Sequence, residues 1–210
     1  MPTVNDQVLE DALALLDWKR RVFALYADAR SDPLPRRSWH GWVTERDRLF
    51  REHPQTPLDE DAKASFAGLA YYPYDPEARV VGAVEAASGE LEQLSTSGQA
   101  PIGFFRIGRV TFTLAGTEQA LPLYWLDAYG GGLFLPFTDA TTGVETYGGG
   151  RYLLDTVKGA DLGATGADLN LDFNYAYNPS CSYNARWHCP LAPAQSRLSA
   201  PVRAGERERP

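Results

Sequence analysis

The chain has 210 residues, a formal net charge of −7 and 44% hydrophobic residues, a length that favours one domain with its own core. Its 12% aromatic content excludes a disordered chain, and its acidic balance argues against a nucleic-acid partner. No apolar run reaches the roughly 18–20 residues of a membrane span, so we expect no membrane partner.

The first part of the chain, about residues 5–66, is predicted to be helical because apolar residues recur every three or four positions. Pro33 and Pro35 predict an extended connection after the first helix. A second helix is predicted from Ser38 to about Glu52. Its apolar stripe contains Trp39, Trp42, Val43, Arg46, Leu49 and Phe50. One or two further helical turns are predicted between Asp59 and Phe66.

From about residue 69 to about residue 200 the apolar period shortens to two, which predicts strands. Two hairpins are predicted, with turns at Ser88-Gly89 and at Gly108-Arg109. Further strands are predicted at 121–126, 133–137, 151–155 and 170–173. Strands that follow leading helices indicate an α+β fold, with N-terminal helices packed on an antiparallel β-sandwich or barrel-like sheet. Residues 204–210 are rich in Arg and Glu, which predicts a solvated, mobile tail to this single domain of residues 1–210.

Chemically versatile side chains are concentrated in two stretches that are also rich in turn-forming residues. The first runs from Asp139 to Tyr152 and the second from Asp172 to Tyr183, followed by His188-Cys189-Pro190. Loops on a rigid β scaffold commonly carry binding and catalytic residues. The two stretches are therefore where we expect a functional site.

The two stretches resemble a bacterial family classed as domain of unknown function 1684, whose pattern reads F-x-D-x-T-x-G-x-x-T-Y-x-x-G-R-Y, then D-F-N-x-A-Y-N-P-x-C-x-Y and a C-P pair. The positions that fit are Phe137, Asp139, Thr141, Gly143, Thr146, Tyr147, Gly150, Arg151, Tyr152, Asp172, Phe173, Asn174, Ala176, Tyr177, Asn178, Pro179, Cys181 and Tyr183. The segment 69–73 and the closing Ala204-Gly205-Glu206 are also similar to family positions. The resemblance implies a family and no reaction, and His188 is not a regular part of the pattern.

The residues themselves suggest an acid–base site with an anion-binding group. Arg151 matches the geometry of a carboxylate or phosphate, and a neighbouring carboxylate would move a proton. The candidate catalytic residues are Asp139, Glu145, Asp172, Tyr147, Tyr177 and Cys181, and the candidate ligand-binding residues are Arg151, Thr142, Asn174 and Asn178. The alternative is that Asp139 and Thr141 form backbone-capping turns and that Arg151 pairs with Asp155 or Asp172 to satisfy a partly buried charge.

The cysteines permit several interpretations. Cys181 would be a nucleophile if His188 or Arg186 generated its thiolate, or else a small buried apolar residue. Cys181, His188 and Cys189 together suggest a zinc site that needs a fourth ligand from elsewhere. We expect reduced thiols, although a disulfide over this short loop is conceivable.

These observations favour a cytoplasmic, cofactor-free enzyme, hydrolase-like, that performs acid–base chemistry on a small anionic metabolite. The cytoplasmic location is expected because the N-terminus has no signal-peptide features. The alternatives are a non-catalytic module that binds a small molecule or a partner, and a polar cluster that only holds the loops together. The enzyme hypothesis requires both stretches to line one hollow that Arg151 faces. Substrate and oligomeric state are left open.

Overall fold

A computed structural model describes residues 6–98 and 100–208 of the chain. Helices α1 (Asp6–Ser31), α2 (Pro35–Glu52) and the short α3 (Glu60–Ala64) come first, as predicted. Pro35 begins α2. A proline is tolerated there because the N–H groups of the first helical turn have no acceptor within the helix. The extended connection after Pro33 is therefore shorter than expected. Among the described residues, no helix combines the length and apolar character needed to cross a bilayer.

Seven strands form a single antiparallel sheet, which confirms the α+β fold class. The strands are β1 (Arg79–Leu94), β2 (Ile102–Leu114), β3 (Thr117–Leu126), β4 (Leu133–Phe137), β5 (Arg151–Asp155), β6 (Ala164–Thr165) and β7 (Asp168–Asp172). Their order across the sheet is β5-β4-β3-β2-β1-β7-β6. Every pair of neighbours is antiparallel.

Both predicted hairpins are wrong, because each glycine lies inside one long strand instead of at a turn. The β1–β2 register shifts between Ala86 and Glu90, around Gly89, which has a positive φ of 65°. The β2–β3 register shifts between Arg106 and Gly108. A Cβ on Gly108 would stand 2.8 Å from the carbonyl oxygen of Glu85, so this glycine permits close approach of two strands.

One face of the sheet carries a core that includes Val110, Leu121, Leu135 and Phe137, all with exposures of 0%. A second cluster joins α1 and α2 to the chain after β7 and includes Tyr26, Trp39, Trp42, Leu49 and Tyr175. The Trp39 indole donates to the carbonyl oxygen of Asn174 at 2.9 Å. The helices therefore cover the segment that follows the sheet, and the space between them and this segment holds the cavity described below.

The end of the chain contradicts the prediction of a solvated tail. Ala204 and Glu206 are 2% and 1% exposed. The backbone N–H groups of Glu206, Arg207 and Glu208 donate to carbonyls of Ala176, Ala70 and Glu145. Residues 202–208, named here the closing segment, are thus packed into the fold, whereas the last two positions of the predicted tail lie outside the described residues.

Candidate functional site

The guanidinium of Arg151, the expected anion-binding group, is enclosed by the protein. Arg151 is 1% exposed and its Nη2 donates to Asp139 Oδ2 at 2.9 Å. The same guanidinium donates to the carbonyl oxygens of Val202, Ala204 and Glu206, at 2.8, 2.5 and 3.2 Å respectively. Arg151 therefore cannot clamp a ligand, and the expected site centred on it is wrong.

Asp139 and Thr142 likewise serve the fold. Asp139 Oδ1 accepts from the backbone N–H of Thr141 at 2.7 Å, and Thr142 Oγ1 accepts from the N–H of Asp139 at 3.0 Å. Asx and Ser/Thr side chains form such local bonds in turns. The turn alternative, which named Asp139 and Thr141, therefore describes Asp139, and Thr142 forms a similar local bond.

Glu145 lies apart from the buried Arg151–Asp139 ion pair and is itself half-buried. It forms an ion pair with Arg203 at 2.7 Å and accepts from the Tyr72 hydroxyl at 2.9 Å. The hydrogen bonds from Arg203 and Tyr72 hold the pKa of Glu145 below its ordinary value. A carboxylate held in its charged form by two donors is a poor proton acceptor, which weakens a catalytic role for Glu145.

Asp172 lines an open, polar groove of about 650 Å³ between the end of α1 and strand β7. Asn174 is 1% exposed and does not line it, because its side-chain amide is hydrogen-bonded to the backbone of Asp75 at 2.8 and 2.7 Å. Asp172 Oδ1 accepts from the backbone N–H and the side-chain amide of Asn174, at 3.0 and 2.8 Å. Its Oδ2 lies 3.3 Å from Arg79 Nε. Burial raises the pKa of Asp172 to about 6, although Asn174 and Arg79 oppose the shift. Arg30 and Arg36 also line this groove.

The two motif stretches meet, although they do not enclose one shared hollow around Arg151. Tyr152 and Tyr177 exchange backbone hydrogen bonds at 2.9 and 3.1 Å. The Tyr147 hydroxyl lies 3.6 Å from Cys181 Sγ. The predicted contact between the two stretches is therefore present. The polar side chains of the two stretches do not, however, face one common cavity.

A second cavity, named here the helix–loop cavity, lies between α1, α2 and the loop of residues 177–189. Its volume is about 270 Å³. Its apolar wall includes Trp18, Val22, Leu25, Trp42, Leu49 and Phe50, and its polar lining includes Lys19, Arg46, Lys158, His188, Asn178 and Ser180. None of the described residues that line it is acidic. Tyr177, a predicted site residue, is also part of the wall.

Arg46 is anchored at this cavity by a buried network. Its Nη1 donates to Glu206 Oε2 at 2.9 Å and to the Tyr71 hydroxyl at 2.5 Å. Burial opposes the charge on Arg46, but Tyr71 and Glu206 outweigh it, so the pKa of Arg46 lies well above its ordinary value. Glu206 also accepts from the Tyr183 hydroxyl and from the backbone N–H of Asn178.

Sequence reasoning missed Arg46 and Glu206 as site residues, although each left a signal. Arg46 interrupts the apolar stripe of α2, which is where a buried cation needs a partner. Glu206 belongs to the closing positions that resemble the family. What the sequence did not reveal is that these two residues, 160 positions apart, meet at a cavity wall.

The cysteine region brings two thiols together, and its described residues do not form a metal site. His188 lies over Gly98, where an added Cβ would stand 2.5 Å from the imidazole. No group of three potential metal ligands is found in the described parts of the chain, so the zinc alternative is wrong. Arg186 donates to the carbonyl of Thr56 and stacks on Trp187, so neither proposed activator of Cys181 is its partner. The sulfur of Cys181 is in hydrogen-bond contact with Cys189 and Tyr147 instead.

Comparison with known proteins supports the resemblance seen in the sequence. A family described as protein of unknown function (DUF1684) matches residues 64–207. An uncharacterized protein of Haloarcula marismortui, solved by solution NMR, is 33% identical with a TM-score of 0.57, over 80% of this chain and 91% of that one. No curated protein matches. The chain belongs to the DUF1684 family of proteins of unknown function.

Proposed function

We propose that this protein binds a small molecule with an apolar body and an anionic group in the helix–loop cavity. The observation that carries the proposal is the lining: aromatic and aliphatic walls, several basic side chains, and no acidic one among the described residues. Ligand pockets are commonly apolar with a few convergent polar groups. A volume of about 270 Å³ lies near the lower end of the roughly 300–1,000 Å³ of such pockets, which favours a small ligand.

The charge of the cavity contrasts with that of the chain. The chain as a whole carries a formal charge of −7, yet Lys19, Arg46 and Lys158 converge on this cavity. Lys19 and Lys158 are both exposed, and Lys158 Nζ lies 3.8 Å from Asp155 Oδ2. Arg46 is already neutralised by the buried Glu206, and Lys158 is paired with Asp155. We therefore assign the anion to Lys19, with Lys158 as the second basic group.

Asn178 adds a hydrogen-bonding requirement. The residue is 5% exposed and lines the cavity, and its amide nitrogen donates to the carbonyl of Arg207 at 3.0 Å. Its Oδ1 is buried and has no partner among the described residues. A buried acceptor without a partner costs roughly 1–3 kcal/mol. A ligand with a hydroxyl or amine donor would remove that cost.

The test is binding of aliphatic and aromatic carboxylates, compared with the matching neutral amides, by calorimetry and thermal shift. Leu15 lines the cavity and is 43% exposed, whereas Leu13, on the same helix, is 56% exposed and lies outside the lining. We expect Leu15→Glu to weaken carboxylate binding about tenfold, or about 1.4 kcal/mol, through repulsion. The matched control Leu13→Glu should bind like the parent protein.

Lys19→Gln should weaken binding in the same direction, while Arg20→Gln, the neighbouring control outside the lining, should not. Neutral amides should bind more weakly than their carboxylates to the parent protein. Failure of every carboxylate to bind well-folded protein would contradict the proposal. So would equal effects of the substitutions at Leu13 and Leu15.

A second candidate is acid–base catalysis on a small anionic metabolite in the polar groove. Asp172 favours it, because a carboxyl with a pKa of about 6 exchanges protons near neutral pH, beside the anion-binding groups Arg79, Arg30 and Arg36. A screen of esters, amides and phosphoesters of small acids tests it. Activity that is lost in Asp172→Asn and kept in Asp168→Asn would support catalysis, and equal activity in both variants would refute it.

A further inference from the structure

Cys181 and Cys189 are two unbonded thiols with different access to solvent. Cys181 follows Ser180 in a single 3₁₀ turn, Ser180–Ser182, and is partly exposed. Cys189 is 4% exposed. Its backbone N–H donates to Ser97 Oγ, and its carbonyl oxygen accepts from the backbone N–H of Ser97. The largest influence on the pKa of each thiol is its interaction with the other, so the two side chains are neighbours. Cys181 is therefore accessible to a reagent, whereas Cys189 is buried and lines the helix–loop cavity.

The surroundings shift the pKa values of the two thiols in opposite directions. The hydrogen bond from Cys189, assisted by that from Tyr147, lowers the pKa of Cys181 to about 6. The same contact raises the pKa of Cys189 well above its ordinary value. Thiolates are the nucleophilic form of cysteine, and low-pKa, accessible cysteines beside a second thiol are typical of redox-sensitive sites. Cys181 is thus suited to react first and Cys189 to react second.

We propose that Cys181 and Cys189 form a redox couple in which a peroxide oxidises Cys181 and Cys189 then closes an intramolecular disulfide. This inference does not depend on ligand binding in the helix–loop cavity. Disulfide formation requires the two sulfur atoms to approach to the roughly 2.05 Å of an S–S bond. The partial exposure of Cys181 gives a small peroxide access to it.

The reaction takes place in two steps. The Cys181 thiolate attacks a peroxide oxygen, the O–O bond breaks, and the released hydroxide takes up a proton to become water, which leaves a sulfenic acid. The Cys189 sulfur then attacks Cys181 Sγ, the S–O bond breaks, and the thiol proton leaves with the hydroxide as a second water. Two thiols and one hydrogen peroxide give one disulfide and two waters, so the thiols lose the two electrons that the peroxide gains.

The first step also prepares the second. The hydrogen bond with Cys181, then burial and the charge of Cys181, raise the pKa of Cys189. A sulfenic acid is neutral, so its formation removes the charge that suppresses ionisation of the neighbouring thiol. Cys189 therefore becomes a better nucleophile only after Cys181 has been oxidised, which sets the order of the two steps.

The test treats the reduced full-length chain with equimolar hydrogen peroxide, blocks free thiols, and maps peptides by mass spectrometry. We expect an intramolecular Cys181–Cys189 disulfide in the parent protein. Cys189→Ser should instead accumulate a dimedone-reactive sulfenic acid at Cys181. In Cys181→Ser, Cys189 should react at least tenfold more slowly than Cys181 does in the parent.

A second measurement avoids any dependence on cysteine variants that fold poorly. The rate of iodoacetamide alkylation against pH should give an apparent pKa near 6 for Cys181 in the parent protein. Tyr147→Phe removes the hydroxyl and should move this value upward. Equal alkylation rates of the two thiols, or oxidation that yields only intermolecular disulfides, would overturn the proposal.

Discussion

Arg151 illustrates how a buried ion pair acts at the scale of one residue. Its side chain is 1% exposed and that of Asp139 is fully buried, and three backbone carbonyls complete the surroundings of the guanidinium. Removing one partner of such a pair leaves an uncompensated charge in the interior. We expect Arg151→Met to lower the free energy of unfolding by about 3–5 kcal/mol, measured by urea denaturation.

The control for this prediction is Arg203→Met, which removes an ion pair of similar length at the surface. The Arg203 side chain is 60% exposed, and exposed pairs contribute about 0–1 kcal/mol. Asp139→Asn added to Arg151→Met should restore part of the lost stability, because it removes the unpaired charge. Similar losses for Arg151→Met and Arg203→Met would contradict a structural role for the buried pair.

Asp172 makes a pH-dependent contribution to stability. Because burial raises its folded-state pKa from 3.8 to about 6, its contribution is present below pH 4 and is lost as the pH rises through 6. The loss amounts to about 3 kcal/mol at 1.36 kcal/mol per pKa unit. Asn carries no charge, so Asp172→Asn should gain that much stability relative to the parent between pH 4 and pH 7.

Urea denaturation of both proteins at several pH values in this range measures the difference. The comparison isolates Asp172, because other groups that titrate there contribute equally to both curves. A difference that stays constant from pH 4 to pH 7 would show that the Asp172 carboxyl has an ordinary pKa in the folded protein.

The sequence located these polar residues without revealing which way they face. Asp139, Arg151 and Asp172 all lie in the predicted stretches, yet the first two are enclosed and the third lines a groove. The difference arises because the closing segment returns over Arg151 and supplies three carbonyls. A contact between residues 51–55 positions apart is set by the whole fold, so local spacing could not predict it.

At the scale of elements, the closing segment depends on Gly205. This residue has a φ of +78°, and a Cβ would stand 2.6 Å from the carbonyl oxygens of both Phe173 and Ala176. Gly116, in the β2–β3 turn, has a similar φ of +74° but open space around it. We expect Gly116→Ala to cost about 1 kcal/mol for the left-handed backbone, and Gly205→Ala about 3 kcal/mol or more.

Chemical denaturation of the two variants measures the comparison directly. The two glycines share the backbone penalty, so the difference between the variants reports the clash with the two carbonyls. If both variants lost the same stability, the closing segment would be free to move away from the chain after β7. The tail predicted from the sequence would then be the better description of residues 204–208.

Strand boundaries show a different limit of sequence analysis. The predicted bounds of β4 and β5 match the structure, because a glycine cluster and a long loop separate these strands from their neighbours, whereas β3 begins at Thr117 and not at residue 121. It divided β1 and β2 at glycines that are accommodated within strands. A glycine with a positive φ serves a turn or a bulge equally well, and only the register of the partner strand decides between them.

At the scale of the whole molecule, the helices and the sheet pack against common residues. Tyr177 packs against both the helix cluster and the cluster around Tyr152. Ser38 on α2 hydrogen-bonds the Tyr175 hydroxyl at 2.9 Å, and Arg30 on α1 donates to the carbonyl of Asp161 at 2.5 Å. These links join both long helices to the chain on either side of β7, so the helices and the sheet belong to one packed unit.

The shared packing predicts a single cooperative unfolding transition, as expected for one domain. Trp18, Trp39 and Trp42 lie on the two long helices, so tryptophan fluorescence reports mainly on that layer. Far-UV circular dichroism reports on the helices and the sheet together. We expect both signals to give the same urea midpoint. A lower midpoint by fluorescence would mean that the helices leave a sheet that stays folded, and the prediction of a single domain would then be wrong.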